Sequence, residues 1–137
     1  MTAIRHAQPA DAEALLELWL AAGSSPSITD NVEHVTAAIE WSGSSVLVAD
    51  AGGRIVGSLI ATWDGWRGNM YRLAVLAEHR RAGIASALVQ EGERLLRARG
   101  ARRLSALVLV EELGAIAFWE RAGYAFQAEA GRFTKVV

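Results

Sequence analysis

The stretch Leu73-Ala74-Val75-Leu76-Ala77-Glu78-His79-Arg80-Arg81-Ala82-Gly83-Ile84-Ala85-Ser86-Ala87-Leu88-Val89 organises the whole chain. It reads as an apolar strand, then a basic turn with one glycine, then an amphipathic helix whose apolar positions include Ile84, Leu88, Leu95 and Leu96. The first turn of a helix leaves backbone N–H groups unpaired, and the helix dipole adds partial positive charge there. Phosphates bind such an end readily. Gly83 removes the side chain that would keep a diphosphate from the backbone, Ala85 and Ser86 leave room beside it, and Arg80 and Arg81 charge the rim.

Outward from this stretch, 137 residues suffice for one domain, expected to span residues 1–137, with a core that needs no staples. Fourteen basic and fifteen acidic residues nearly cancel, which argues against general binding of nucleic acid or of membrane surfaces. The chain has no cysteine, so disulfides, thiolate metal sites and a cysteine acyl-enzyme are excluded. His6, His34 and His79 lack metal-ligand spacing, and no metal is expected. No apolar run reaches membrane-spanning length and Met1-Thr2-Ala3-Ile4-Arg5 does not open a signal peptide, so a cytoplasmic protein is the expectation.

In chain order, Ile4 to Ala7 reads as a strand, and Pro9-Ala10-Asp11 opens a helix to about Ala22, striped by Leu15, Leu16, Trp19 and Leu20. Gly23 to Ser27 is a loop, and a second helix follows from about Asp30 to Trp41. Val46 to Ala49 and Ile55 to Ala61 read as strands joined through Asp50-Ala51-Gly52-Gly53, and Thr62 to Gly68 as the turn into the central strand Tyr71 to Val75. The helix from Gly83 ends at Gly100; a strand Leu104 to Val110, a loop, a helix Ala115 to Arg121 and a closing hairpin of Tyr124 to Phe126 with Arg132 to Val137 complete the reading.

The spacing Arg80-x-x-Gly83-x-Ala85, between that strand and that helix, resembles the acyl-CoA signature of the GNAT family of N-acetyltransferases. Ala115-Ile116-Ala117-Phe118-Trp119-Glu120-Arg121-Ala122-Gly123-Tyr124 resembles the family's second motif, and the elements follow in the family's order. The resemblance implies an α/β fold of the α+β type, with a mixed, mostly antiparallel sheet of about six to seven strands flanked by about four helices. It implies acetyl-CoA as cosubstrate, its arm paired with the backbone of Leu73, Ala74 and Val75 and its diphosphate held by Arg80, Arg81, Ala82, Gly83, Ile84, Ala85 and Ser86. The acceptor implied is a small-molecule amine, with the homodimer as one candidate assembly. In this reading Trp63, Asp64, Trp66 and Arg67 line the acceptor pocket, a tryptophan facing the amine and Arg67 an acceptor carboxylate. The same turn also reads as Asp64-Gly65 with two tryptophans capping the sheet edge.

Acetyl transfer needs a neutral amine, and at a lysine-like pKa of about 10.4 only about one amine in a few thousand is neutral at pH 7. A base or a desolvating site must supply the rest. Where the family often has Glu or His, this chain has Asn69 and Tyr71; Tyr71 could hold a water in a relay, and Glu111, Glu112, Asp64 and His34 are substitutes placed near the expected cleft, Glu112 by the register of the second motif. Trp119 stands where the family places a tyrosine acid, and an indole N–H has no useful acidity. Trp119 reads as packing beside Phe118, with a cofactor contact as an added role. The expectation is direct acetyl transfer to a primary amine in a ternary complex. The alternative is a sensor that binds acyl-CoA with little turnover. A dinucleotide-binding domain is disfavoured, because the glycine turn follows several strands and lacks the Gly-x-Gly-x-x-Gly spacing.

Overall fold

The computed structural model describes residues 2–109 and 113–137. It divides into two compact units, Met1–Ala106 and Leu107–Val137.

The first unit is built on five strands, β1 (Thr2–His6), β2 (Ser44–Ala51), β3 (Arg54–Trp63), β4 (Gly68–Val75) and β5 (Leu104–Ala106), in that spatial order. The first three pairings are antiparallel and β4–β5 is parallel. A parallel pair needs a crossover, supplied here by α3 (Ile84–Ala98). Helices α1 (Ala12–Ala21) and α2 (Val32–Glu40) precede β2. α2 starts as a cap rule predicts: Asn31 Oδ1 accepts the His34 N–H at 2.9 Å.

Alternation along the strands assigns the two faces. Leu59, Ala61 and Met70 face α3, close enough that a Cβ on Gly92 would stand 2.9 Å from Leu59. Likewise a Cβ on Gly57 would stand 3.1 Å from Ile84, so the glycine lets the start of α3 sit tight on the sheet. On the opposite face the Trp19 indole of α1 donates to Ser58 Oγ at 2.9 Å. Leu15, Leu47, Val48, Val56, Leu59 and Leu88 are sealed from solvent between these layers. At one edge Arg5 pairs with Asp11 at 2.8 Å and Asp50 at 3.1 Å.

The mixed, mostly antiparallel sheet and the four helices agree with the expectation, but five strands are described instead of six or seven. Two differences account for this. β5 ends at Ala106, where Leu104 to Val110 was expected, because β4 offers it a partner only from Gly68 to Met70; Leu107 and Leu109 are about half exposed, and Val110 lies outside the described residues. The expected closing hairpin is absent: Tyr124 to Phe126 and Arg132 to Val137 carry no strand. Aromatic and β-branched residues favour strands only where a partner and a packed face receive them. Phe133 and Val137 have neither and are fully exposed.

The second unit contains α4 (Leu113–Arg121), which ends in a turn closed by Gly123 N–H to Glu120 and Tyr124 N–H to Trp119. No described helix is long and apolar enough to cross a membrane. Among the described residues no three acidic or histidine side chains gather as metal ligands would.

Candidate active site

The turn between β4 and α3 shows why one glycine there matters. Arg81 and Gly83 both adopt left-handed backbone, at φ +64° and +79°. Gly83 is the residue before α3 and no side chain caps the helix. The N–H groups of Ile84, Ala85 and Ser86, which a helix cannot satisfy internally, therefore open at an uncapped, positively polarised end. A Cβ built on Gly83 would meet nothing within 4 Å, so the backbone is approachable. Ala82, Gly83 and Ser86 are exposed, whereas the Ile84 side chain is buried in the core. Arg80 is committed in part to structure: its Nε donates to the Val75 carbonyl at 3.1 Å, tying the strand end to the turn.

Beside this helix end the sheet parts. β4 pairs with β5 only as Gly68↔Leu104, Asn69↔Ser105 and Met70↔Ala106. On its other side Ala74 and Val75 remain paired with Ser58 and Gly57 of β3. Among the described residues no strand pairs with Leu73, Ala74 and Val75 on the β5 side. An extended ligand arm can add there as a strand does, leaving the buried side chains of Ala74 and Val75 in the core. The unpaired edge of β4 and the open helix end together suit a slender arm ending in a diphosphate.

The place where β4 leaves its register is a bulge. Arg72 sits there at φ +53°, between the Ile60↔Tyr71 and Ser58↔Ala74 pairs. The guanidinium reaches Asp30 at 3.0 Å and lies 4.8 Å from the centre of the Trp19 ring. Ser58 Oγ donates to the Arg72 carbonyl at 2.8 Å and accepts from Trp19. A polar network thus crosses the layer between α1 and the sheet, with Arg72 Nη1 its one buried atom lacking a partner. Sequence reasoning missed Arg72, Asp30 and Ser58. The available signal was a charge inside an apolar strand and a serine inside Val56 to Ala61.

Of the expected catalytic residues, Tyr71 adjoins the bulge, partly exposed, and by alternation from Met70 it faces the α1 and α2 side. Glu112 lies outside the described residues, as does Glu111. Trp119 is buried, edge-to-face with Phe118 at 5.5 Å and Tyr124 at 4.9 Å. The Thr62–Gly68 turn stands at the far end of β4, beyond the stretch where β4 and β5 pair. Trp63, Trp66 and Arg67 line a cleft of about 560 Å³ there, with Arg99, Gly100, Arg102 and Arg103. Asp64 closes the turn instead: its Oδ1 accepts the Arg67 and Trp66 N–H groups at 2.6 and 2.8 Å, which holds its carboxyl below the usual range.

Residues 12–124 match the family model described as the acetyltransferase (GNAT) family. An acetyltransferase of Yersinia enterocolitica is 32% identical over 124 residues, covering 90% of this chain and 88% of that protein. An acetyltransferase of Sodalis glossinidius is 37% identical over 81 residues; there the match spans 59% of this chain and only 57% of the relative. The fold is shared with the aminoglycoside N-acetyltransferase AAC(6')-Iy in complex with CoA, at a TM-score of 0.79 and 16% identity, over 98% of this chain and 95% of that one. The same enzyme with the bisubstrate analogue CoA-S-monomethyl-acetylneamine gives a TM-score of 0.82 over 100% and 99% of the two chains.

Proposed function

Because the chain belongs to the acetyltransferase (GNAT) family, we propose that it transfers the acetyl group of acetyl-CoA directly to a primary amine of a small molecule, both bound at once. One observation carries the reading: β4 parts from β5 after Met70, beside a helix end that is uncapped and open at Gly83. That a fold neighbour was solved with a bisubstrate analogue supports transfer within one complex.

In this mechanism the cosubstrate supplies an activated thioester. The main chain of Leu73 to Val75 orients its arm, while the N–H groups of Ile84 to Ser86 and the charges of Arg80 and Arg81 hold its diphosphate. Ala82 adds no bulk at the rim. Tyr71, beside the bulge, holds the water that relays a proton from the acceptor's ammonium to bulk solvent, and the neutral amine so formed attacks the thioester carbonyl as the thiolate leaves. The Arg72–Asp30 pair keeps the loop before α2 against β4, so Tyr71 and the strand keep one geometry. Proton removal makes the rate rise with pH toward the amine's own pKa. The edge-to-face packing of Trp119 supports a structural role, and the leaving thiolate, of pKa about 8.5, departs without an acid.

Titration calorimetry with acetyl-CoA and CoA, followed by thiol release across an amine panel, tests both parts. Binding with turnover is the expected result. Trp119 in the position of the family's tyrosine favours a second reading, an acyl-CoA sensor, which predicts binding with no thiol release on any amine. Absence of binding by the folded protein would overturn both.

A further inference from the structure

The cleft at the other end of α3 is lined with cations. Its walls carry four arginines, Arg67, Arg99, Arg102 and Arg103, and two tryptophans, Trp63 and Trp66. Among the described residues none of the four arginines has a carboxylate within 4 Å, although Arg5, Arg54, Arg72 and Arg94 all do. The acid within the β3–β4 turn, Asp64, is spent on main-chain N–H groups.

Helix capping does not explain the cluster. Two of the last carbonyls of α3 already accept main-chain N–H groups: Arg99 and Ala101 donate to Leu96, and Gly100 to Arg97. Among the described residues Arg99 has a further hydrogen bond, donating to the Ser42 carbonyl, and Arg67 lies on the Trp66 ring. The remaining charge faces a cleft whose volume, about 560 Å³, lies in the range of small-ligand sites.

The aromatic groups narrow the ligand class. Trp66 is 70% exposed, and the Arg67 guanidinium lies 3.8 Å from its ring centre. A flat indole backed by a cation presents its other face to a flat ring, and neighbouring guanidinia match phosphate oxygens in pairs. An acidic peptide would use the charges and leave the indole idle. We infer that this cleft binds a nucleoside diphosphate, its base on Trp66 and its phosphates between Arg99, Arg102 and Arg103. The fifteen residues of α3, about 22 Å at 1.5 Å each, separate it from the turn at Gly83, so the inference stands apart from the acetyl-transfer site.

The test is calorimetry of the full chain with ADP, with adenosine and pyrophosphate as half-ligands and with a dT15 oligonucleotide. ADP should bind better than either half, and the Arg102→Gln/Arg103→Gln variant should weaken it roughly tenfold or more with a circular dichroism spectrum like the parent's. Trp66→Ala should weaken ADP and leave pyrophosphate unaffected. Gly83→Glu should retain ADP binding. The assignment fails if ADP does not bind, if the arginine and tryptophan variants leave it unchanged, or if Gly83→Glu removes it, which would place ADP at the other end of α3. Stronger binding of dT15 than of ADP, falling steeply with salt, would assign the phosphates to a nucleic-acid strand and overturn the small-molecule reading.

Discussion

The two ends of α3 both gather arginine, and they do so against opposite backgrounds. At the Gly83 end the helix itself attracts anions: its N–H groups are uncapped, its dipole is positive, and Arg80 and Arg81 only reinforce it. At the Gly100 end the dipole is negative and no helix N–H groups are free to face an anion, so any anion must be held by side chains alone, against the helix. The first end depends on backbone geometry, the second on side-chain charge. Substitutions therefore separate them.

The largest expected effect is at the backbone end. Gly83→Glu puts a bulky anion at the proposed diphosphate site, and like-charge contact costs several kcal/mol, so acetyl-CoA affinity measured by calorimetry should fall roughly 100-fold or more. Unchanged affinity in the folded variant would remove the distinction between the ends.

Next is the strand that the two ends share. Asp30→Ala leaves the Arg72 guanidinium, which is largely buried, without its anion and should cost about 1–3 kcal/mol in chemical denaturation. If the ends are independent, ligand affinities well below the unfolding transition should not move together. Ser58→Ala strips a partner from both Trp19 and Arg72 and should be non-additive with Asp30→Ala in a double-mutant cycle.

A finer probe puts the same substitution at each end. Gly83 and Gly100 both have positive φ, +79° and +105°, with open space at Cβ. Alanine at either should cost about 1 kcal/mol of stability through backbone strain alone. Only Gly83→Ala should also reduce acetyl-CoA affinity.

The smallest effect is a control away from both ends. The Arg5 guanidinium holds the Asp11 carboxyl low; Asp50 is held low first by the Gly53 N–H and then by Arg5. Acids with depressed folded pKa values stabilise the fold when ionised, and that contribution disappears as pH falls through the folded pKa, below about 4. The Tm difference between the parent and Asp11→Asn should therefore be present at pH 7 and close at low pH. A difference that widens in acid would reverse the sign.

Legibility in the sequence follows the same division. The Gly83 end could be read because strand, turn, glycine and helix are contiguous, and the chemistry of a helix N-terminus is local. The Gly100 end could be read only in part: Trp63, Trp66 and Arg67 are legible as pocket residues, but the fold brings them to residues more than thirty positions later, Arg99 to Arg103. A net charge near zero averages that cluster away. The bulge at Arg72 was hidden for another reason: Tyr71 to Val75 alternates well enough to read as an ordinary strand, and left-handed backbone at an arginine has no residue-type signature. The closing hairpin failed because strand propensity without a partner strand predicts nothing.

The three-residue pairing of β4 with β5 also shapes how the chain assembles. β2, β3 and β4 find one another through short connections, whereas β5 must wait for the whole of α3. During refolding β4 is therefore a bare sheet edge, with the sticky run Leu73-Ala74-Val75-Leu76 along it. Arg72 immediately before that run and Arg80 and Arg81 shortly after it bracket it with charge, as gatekeepers against edge-to-edge aggregation do.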